Sequence, residues 1–144
     1  MAYDWVYPPL DGGEALIHID WGKRFHNTRI YYGFRQWCSV LVPGMHVVKS
    51  EVSGDHATGV SKPGLKAAAF LSADGKRLVA HVANVQDREA TLRIDIGPEF
   101  SKVTAKHWRT SGSGDCAVSA EVPAGASTLP PPPRSLNTWE WVLP

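Results

Sequence analysis

Hydrophobic positions along this chain follow two regimes, one helical and early, the other of period two and running to the end. Ile30, Phe34, Trp37, Cys38 and Leu41 are spaced four, three, one and three apart, which paints one face of a helix within residues 31–45. Asn27 or Thr28 can cap its start. Pro43-Gly44 forbids continuation, because proline disfavours helical geometry in the residue before it. From His46 onward the helical period does not return. Residues 46–49 read as a short strand, and 66–72 with 76–85 as a hairpin around Ala73-Asp74-Gly75, where Asp-Gly tolerates the positive φ of a tight turn. Residues 89–96 alternate, with Ala90, Leu92, Ile94 and Ile96 on one face and Thr91, Arg93 and Asp95 on the other, the signature of a half-buried strand. Residues 103–110, 117–122 and 136–143 are further strands, and Pro130 to Pro133 must run extended at an edge or crossover. About seven to eight short strands with regular turn signals predict a mainly β fold, an antiparallel β-sandwich, preceded by one helix.

Upstream of the helix, residues 2–7 form a short aromatic strand ended by Pro8-Pro9, and 10–27 read as a long connection with a locally apolar piece at 15–19. One helix followed only by strands is an odd recipe for a self-contained domain. It looks like a junction between two architectures.

Composition narrows the function classes. Fifteen basic against fourteen acidic residues, with no long run of either sign, leave no electrostatic footprint for nucleic acid or an anionic membrane. No stretch of about 18 apolar residues could span a bilayer. The first residues, MAYDWVYPPL, lack the basic start and apolar run of a signal peptide. Two distant cysteines make neither a disulfide framework nor a metal motif; Cys38 reads as a small buried group and Cys116 as part of a Gly/Ser loop. Six histidines are poorly spaced for a transition metal: His18 and His26 lie in the connection, His81 and His107 on separate strands, and His46 and His56 flank a loop carrying Asp55. Neither Asp55 nor Asp115 sits among alternating oxygen ligands for calcium. No metal and no cofactor is expected.

Residues 31–45, YYGFRQWCSVLVPGM, resemble the last barrel helix of glycoside hydrolase family 30 and its clan relatives, in which a Tyr-Tyr-x-x-x-Gln-aromatic-Ser segment ending in Pro-Gly closes a (β/α)8 barrel and leads into a β-sandwich. Tyr31, Tyr32, Gln36, Trp37, Ser39, Leu41, Pro43 and Gly44 fill that pattern, with Cys38 inserted. Residues 65–70 (LKAAAF), Asp74-Gly75 with 78–84, and 129–138 (LPPPPRSLNT) are similar to later family segments. The resemblance implies that residues 1–45 are the last strand and helix of a TIM-barrel-like catalytic domain and 46–144 a side β-sandwich. It also implies a secreted parent enzyme.

Retaining glycosidases of that clan use two carboxylates roughly 5 Å apart, which the resemblance puts at the ends of the fourth and seventh barrel strands. If residues 2–7 are the eighth, both carboxylates precede residue 1, and no catalytic residue is expected here. Asp4 and Glu14 are the only acidic groups near the barrel-top region, and a solvated or capping role suits them better.

Aromatic residues are then the remaining candidates, because sugars stack their C–H faces on such rings. Trp5 and Tyr7, at the carboxyl end of the first strand, can form a subsite wall or fill a core. Trp21 is open to either role, and Trp37 belongs to the core. Trp139 and Trp141 share a parity, as paired core anchors or as an exposed platform. Three functions follow: a non-catalytic region that stabilises a barrel and contacts glycan, a free-standing carbohydrate-binding module, or a small glycosidase acting alone. The implied partners are a polysaccharide or oligosaccharide, together with a second copy or a missing catalytic domain on the Ile30, Phe34, Trp37 and Leu41 face.

Overall fold

The computed structural model describes residues 6–7, 15–20, 24–54, 63–112, 114–124 and 130–144. Two sheets and one helix carry them. A small sheet joins β1 (Val6–Tyr7), β2 (Ile17–Asp20) and β3 (Arg24–Asn27), with β1 parallel to β2 and β2 antiparallel to β3. The long connection expected over 10–27 therefore contains a hairpin. Four-residue strands leave too little alternation to be seen against loop-like neighbours.

Helix α1 (Arg29–Ser39) starts at Thr28, one of the two caps anticipated, whose Oγ1 accepts from Tyr31 N at 3.3 Å. The same hydroxyl faces the carbonyls of Ala15 at 2.8 Å and Leu16 at 3.1 Å, so the cap also ties the helix to the small sheet. The helix ends well before Pro43, as proline and the positive φ of Gly44 require.

The larger sheet is antiparallel, in the order β4-β5-β6-β9-β7-β8: β4 His46–Val48, β5 Leu65–Leu71, β6 Arg77–Asn84, β7 Ala105–Ser111, β8 Gly114–Val122 and β9 Ser135–Val142. The expected hairpin is β5–β6, in register from Leu65↔Asn84 to Leu71↔Leu78. Only Gly75 takes a positive φ in its turn; Asp74 instead accepts from Ser72 Oγ at 2.5 Å and Lys76 N at 3.0 Å. Cys116 falls within β8, not in a loop. The last strand in sequence, β9, is central in space, between β6 and β7. The proline run before it is pinned where the chain crosses over: Asn84 Nδ2 donates to the carbonyls of Pro131 and Pro132, both at 3.0 Å, and Ala90 N donates to Pro131 O.

The fold class is thus mainly β with a single helix, as the pattern predicts. The two faces of the larger sheet are covered differently. One carries α1. The other carries the hydrophobic core, in which Leu65, Leu78, Ala80, Val82, Ala105, Val122, Trp139 and Trp141 are covered by Ala90, Leu92, Ile94, Ile96, Phe100 and Val103. Residues 89–96 alternate in burial as their sequence does, but they form no strand ladder. The covering layer is an extended segment where the alternation predicts a strand.

Candidate functional site

The junction between α1 and the larger sheet is built around one polar side chain. Gln36 is fully buried, although the helical face predicted from the apolar spacing excludes it. Its Nε2 donates to Trp108 O at 3.2 Å, Leu136 O at 3.1 Å and Thr138 Oγ1 at 2.8 Å, and its Oε1 accepts from Thr110 Oγ1 at 2.7 Å. The two backbone carbonyls fix which end of the amide is nitrogen. Gln36 and Val40 are buried one turn apart, two residues on from Phe34 and Cys38, so the docked stripe lies roughly 160° around the helix from the Ile30, Phe34, Cys38 stripe. Ile30 and Phe34 are 42% and 44% exposed and Cys38 is exposed, which corrects its reading as a buried group. Trp37 is shared between the two stripes and lies on the sheet, stacked on His81 at 4.0 Å and edge-on to Phe70 at 5.8 Å.

Beneath the helix, His81 Nδ1 lies 2.8 Å from Thr138 Oγ1, and its Nε2 has no hydrogen-bond partner. Burial pushes the His81 pKa down to about 4, so the ring is neutral at physiological pH. On the opposite face His107 stacks on Trp139 at 4.7 Å and contacts Asn137 Oδ1 at 3.2 Å. Burial and then the nearby Arg109 charge lower the His107 pKa to about 4, against the Asn137 hydrogen bond. These rings are structural. They are held neutral and sealed from solvent.

The aromatic candidates divide. Trp139 and Trp141 are 0% and 6% exposed within the core, so they are core anchors and do not form an exposed sugar platform. Parity left both outcomes open, and the segment that carries Ala90, Leu92, Ile94 and Ile96 over that face decides between them. Tyr7 lies on β1, Trp5 and Trp21 lie outside the described residues, and Trp108 on β7 is half-buried.

Four of the described carboxylates pair with cations, and Asp74 accepts within its turn. Glu140 pairs with Arg77, Asp87 with Arg134, Asp95 with Arg93 and Glu51 with Lys49. Among the described residues no group of three or more His, Cys, Asp and Glu is placed to hold a metal.

Two surfaces remain. One is a set of exposed apolar side chains: Phe25 on β3 is 74% exposed, with its cross-strand neighbour Ile19 on β2, and Ile30 and Phe34 on α1, also exposed. The other is a groove of about 760 Å³ on the core face of β5 and β6, bounded by residues 48–53 and 91–97. Sequence reasoning missed the Gln36 key and the groove. The first had a signal in the position of Gln36 between Tyr32 and Val40, the second in the three consecutive alanines of β5, which leave its floor low.

No protein-family model and no curated protein sequence matches this chain. Solved structures do. It is similar to a GH30 endoxylanase from Clostridium papyrosolvens C71 (TM-score 0.64, 15% identity, 81% of this chain and 28% of that one). It is also similar to a conserved exported protein from Bacteroides fragilis (0.69, 17%, 94% and 28%). A third is a family 30 subfamily 8 xylanase from Clostridium acetobutylicum (0.64, 11%, 91% and 31%). The likeness is one of fold, and the family 30-like fold implied by residues 31–45, 65–84 and 129–138 is present. The chain spans less than a third of the length of each of these structures.

Proposed function

We propose that this chain is the non-catalytic carboxyl-terminal region of a family 30-like glycoside hydrolase, with residues 1–45 closing a (β/α)8 barrel and 46–144 forming the β-domain that braces it. The observation that carries this reading is the Gln36 key: a helix locked to the sheet by four hydrogen bonds while Ile30 and Phe34 of the helix, and Phe25 of β3, are exposed. A helix held that firmly on one side, with apolar side chains on the other, suits a joint between two bodies. The occupant of the outward face is the rest of the barrel; this chain spans less than a third of the length of each matched xylanase. The substrate of the parent is a polysaccharide, with xylan the first to try given those two proteins, and Trp5 and Tyr7 remain the residues to contact it. The ion pairs around Glu140, Asp87, Asp95 and Glu51 support a non-catalytic role, because a retaining mechanism needs two carboxylates facing each other at about 5 Å.

A free-standing carbohydrate-binding module is the weaker reading, because Trp139 and Trp141 are buried. The test combines two measurements on the purified chain. Reducing-sugar release from xylan and β-glucan is expected to be nil, and light scattering is expected to show self-association that Phe25→Ser with Ile30→Ser abolishes. Hydrolysis that survives removal of contaminating enzyme overturns the proposal. So does a monodisperse monomer that binds no hydrophobic dye.

A further inference from the structure

Two histidines eight residues apart in sequence become neighbours on the small sheet. The β2–β3 register pairs His18 with His26 across the hairpin, so both side chains leave the same face. Ile19 and Phe25 form the adjacent rung and leave the other face. The imidazole centroids are 5.2 Å apart, with the ring planes at 86°. This rung sits two residues from a fixed point, where Thr28 N donates to Leu16 O at 3.0 Å and Thr28 Oγ1 lies 2.8 Å from Ala15 O. His26 is exposed and His18 half-buried. Among the described residues, His18 Nε2 is sealed from solvent without a hydrogen-bond partner. A buried ring nitrogen in that condition is costly unless another group engages it.

We propose that His18 and His26 form a two-ligand site for a divalent cation of the class that favours imidazole, with Zn2+ as its type and Ni2+ and Cu2+ as close relatives. The ring separation supports this. With metal–nitrogen bonds of about 2.0–2.1 Å at a tetrahedral angle, two coordinated imidazoles hold their centroids roughly 5 Å apart. The observed 5.2 Å needs no strand movement to meet that spacing. Nearly perpendicular planes agree with it too, since each ring turns about its own metal–nitrogen bond. The cation also gives His18 Nε2 the partner that the described residues do not supply. Among those residues no third His, Cys, Asp or Glu joins the pair, so water takes the remaining positions and the site stays open. Ca2+ and Mg2+ are selected against, because they require oxygen ligands. A bound cation staples β2 to β3 at the entry to α1. Eight residues of separation match no helical metal motif, and only the hairpin brings the rings together. The inference uses this hairpin alone, so it stands or falls apart from the accessory-region reading.

The experiment strips the intact chain with a chelator and titrates it with zinc chloride in a calorimeter near neutral pH. One zinc per chain is expected, with a Tm that rises with zinc concentration and slowed amide exchange in β2 and β3. His26→Ala and His26→Gln alter an exposed side chain, so each should keep the metal-free Tm while weakening zinc binding at least about tenfold. His46→Ala, at an exposed histidine on the larger sheet, should leave zinc binding unchanged, and excess Mg2+ should not compete. No saturation below about 1 mM zinc overturns the site and leaves the two rings as a packing contact. Binding insensitive to both His26 variants overturns it as well. So does a stoichiometry of one zinc per two chains with zinc-dependent dimerisation, which would place the ligands on separate copies.

Discussion

The two faces of the larger sheet are held by different physics. The face under α1 is specified by hydrogen bonds: Gln36 reaches Thr110, Thr138 and two carbonyls, and Thr138 continues to His81. The opposite face is specified by apolar area, with Trp139 and Trp141 under the extended segment that carries Leu92, Ile94 and Ile96. Apolar contact tolerates small rotations and shifts, whereas a four-way amide accepts one helix rotation only. The apolar side therefore supplies most of the stability and the polar side supplies the register of the helix on the sheet.

The largest test of that division is Trp139→Ala. The ring is fully buried and stacked on His107, and its removal should cost roughly 3–5 kcal/mol in urea unfolding. A loss below about 1 kcal/mol would show that the apolar face is not where the stability resides.

Acid comes next, because it acts on both faces. His81 and His107 have folded pKa values of about 4 against the ordinary 6.5, so between those pH values the unfolded chain binds more protons than the native one. Their contribution is complete above about pH 6.5, falls as pH drops towards 4, and falls no further below that. For His81 the loss is on the order of 3 kcal/mol. His81→Phe keeps a ring against Trp37 but cannot titrate, so it should flatten the acid limb of a plot of unfolding midpoint against pH. An unchanged limb would mean that the helix face does not contribute to acid sensitivity.

The comparison also explains what the sequence could reveal. The apolar face was legible: the alternation of Ala90, Leu92, Ile94 and Ile96 is reproduced in burial, and the β5–β6 hairpin follows its Asp-Gly turn. Whether Trp139 and Trp141 are core or platform was not legible, because parity says that they share a face without saying what covers it. The hydrogen-bonded face was hidden for a related reason. Apolar spacing points to Ile30 and Phe34, and it was blind to a helix whose docked stripe is centred on glutamine. The same spacing marks the exposed side of the helix, where Ile30 and Phe34 do not pack on this sheet. Residues 89–96 were over-read as a strand because alternation reports one-sided burial, and hydrogen bonding is a separate matter.

The smallest expected effect is the most discriminating one. Gln36→Leu preserves volume and adds apolar surface, so an account based on area alone predicts no loss or a slight gain. The hydrogen-bond account predicts otherwise. The substitution removes the amide from Thr110 Oγ1, Thr138 Oγ1 and two backbone carbonyls in a buried layer, at a net cost of about 1–3 kcal/mol. The loss should be local, because the core face is untouched. Amides in Arg29–Ser39 should exchange much faster while those of β6 and β9 keep their protection, since the helix can undock without unfolding the sheet. Equal acceleration in helix and sheet would mean that the two faces form one cooperative unit. No acceleration in either would mean that Trp37 on His81, and not the amide, holds the helix in place.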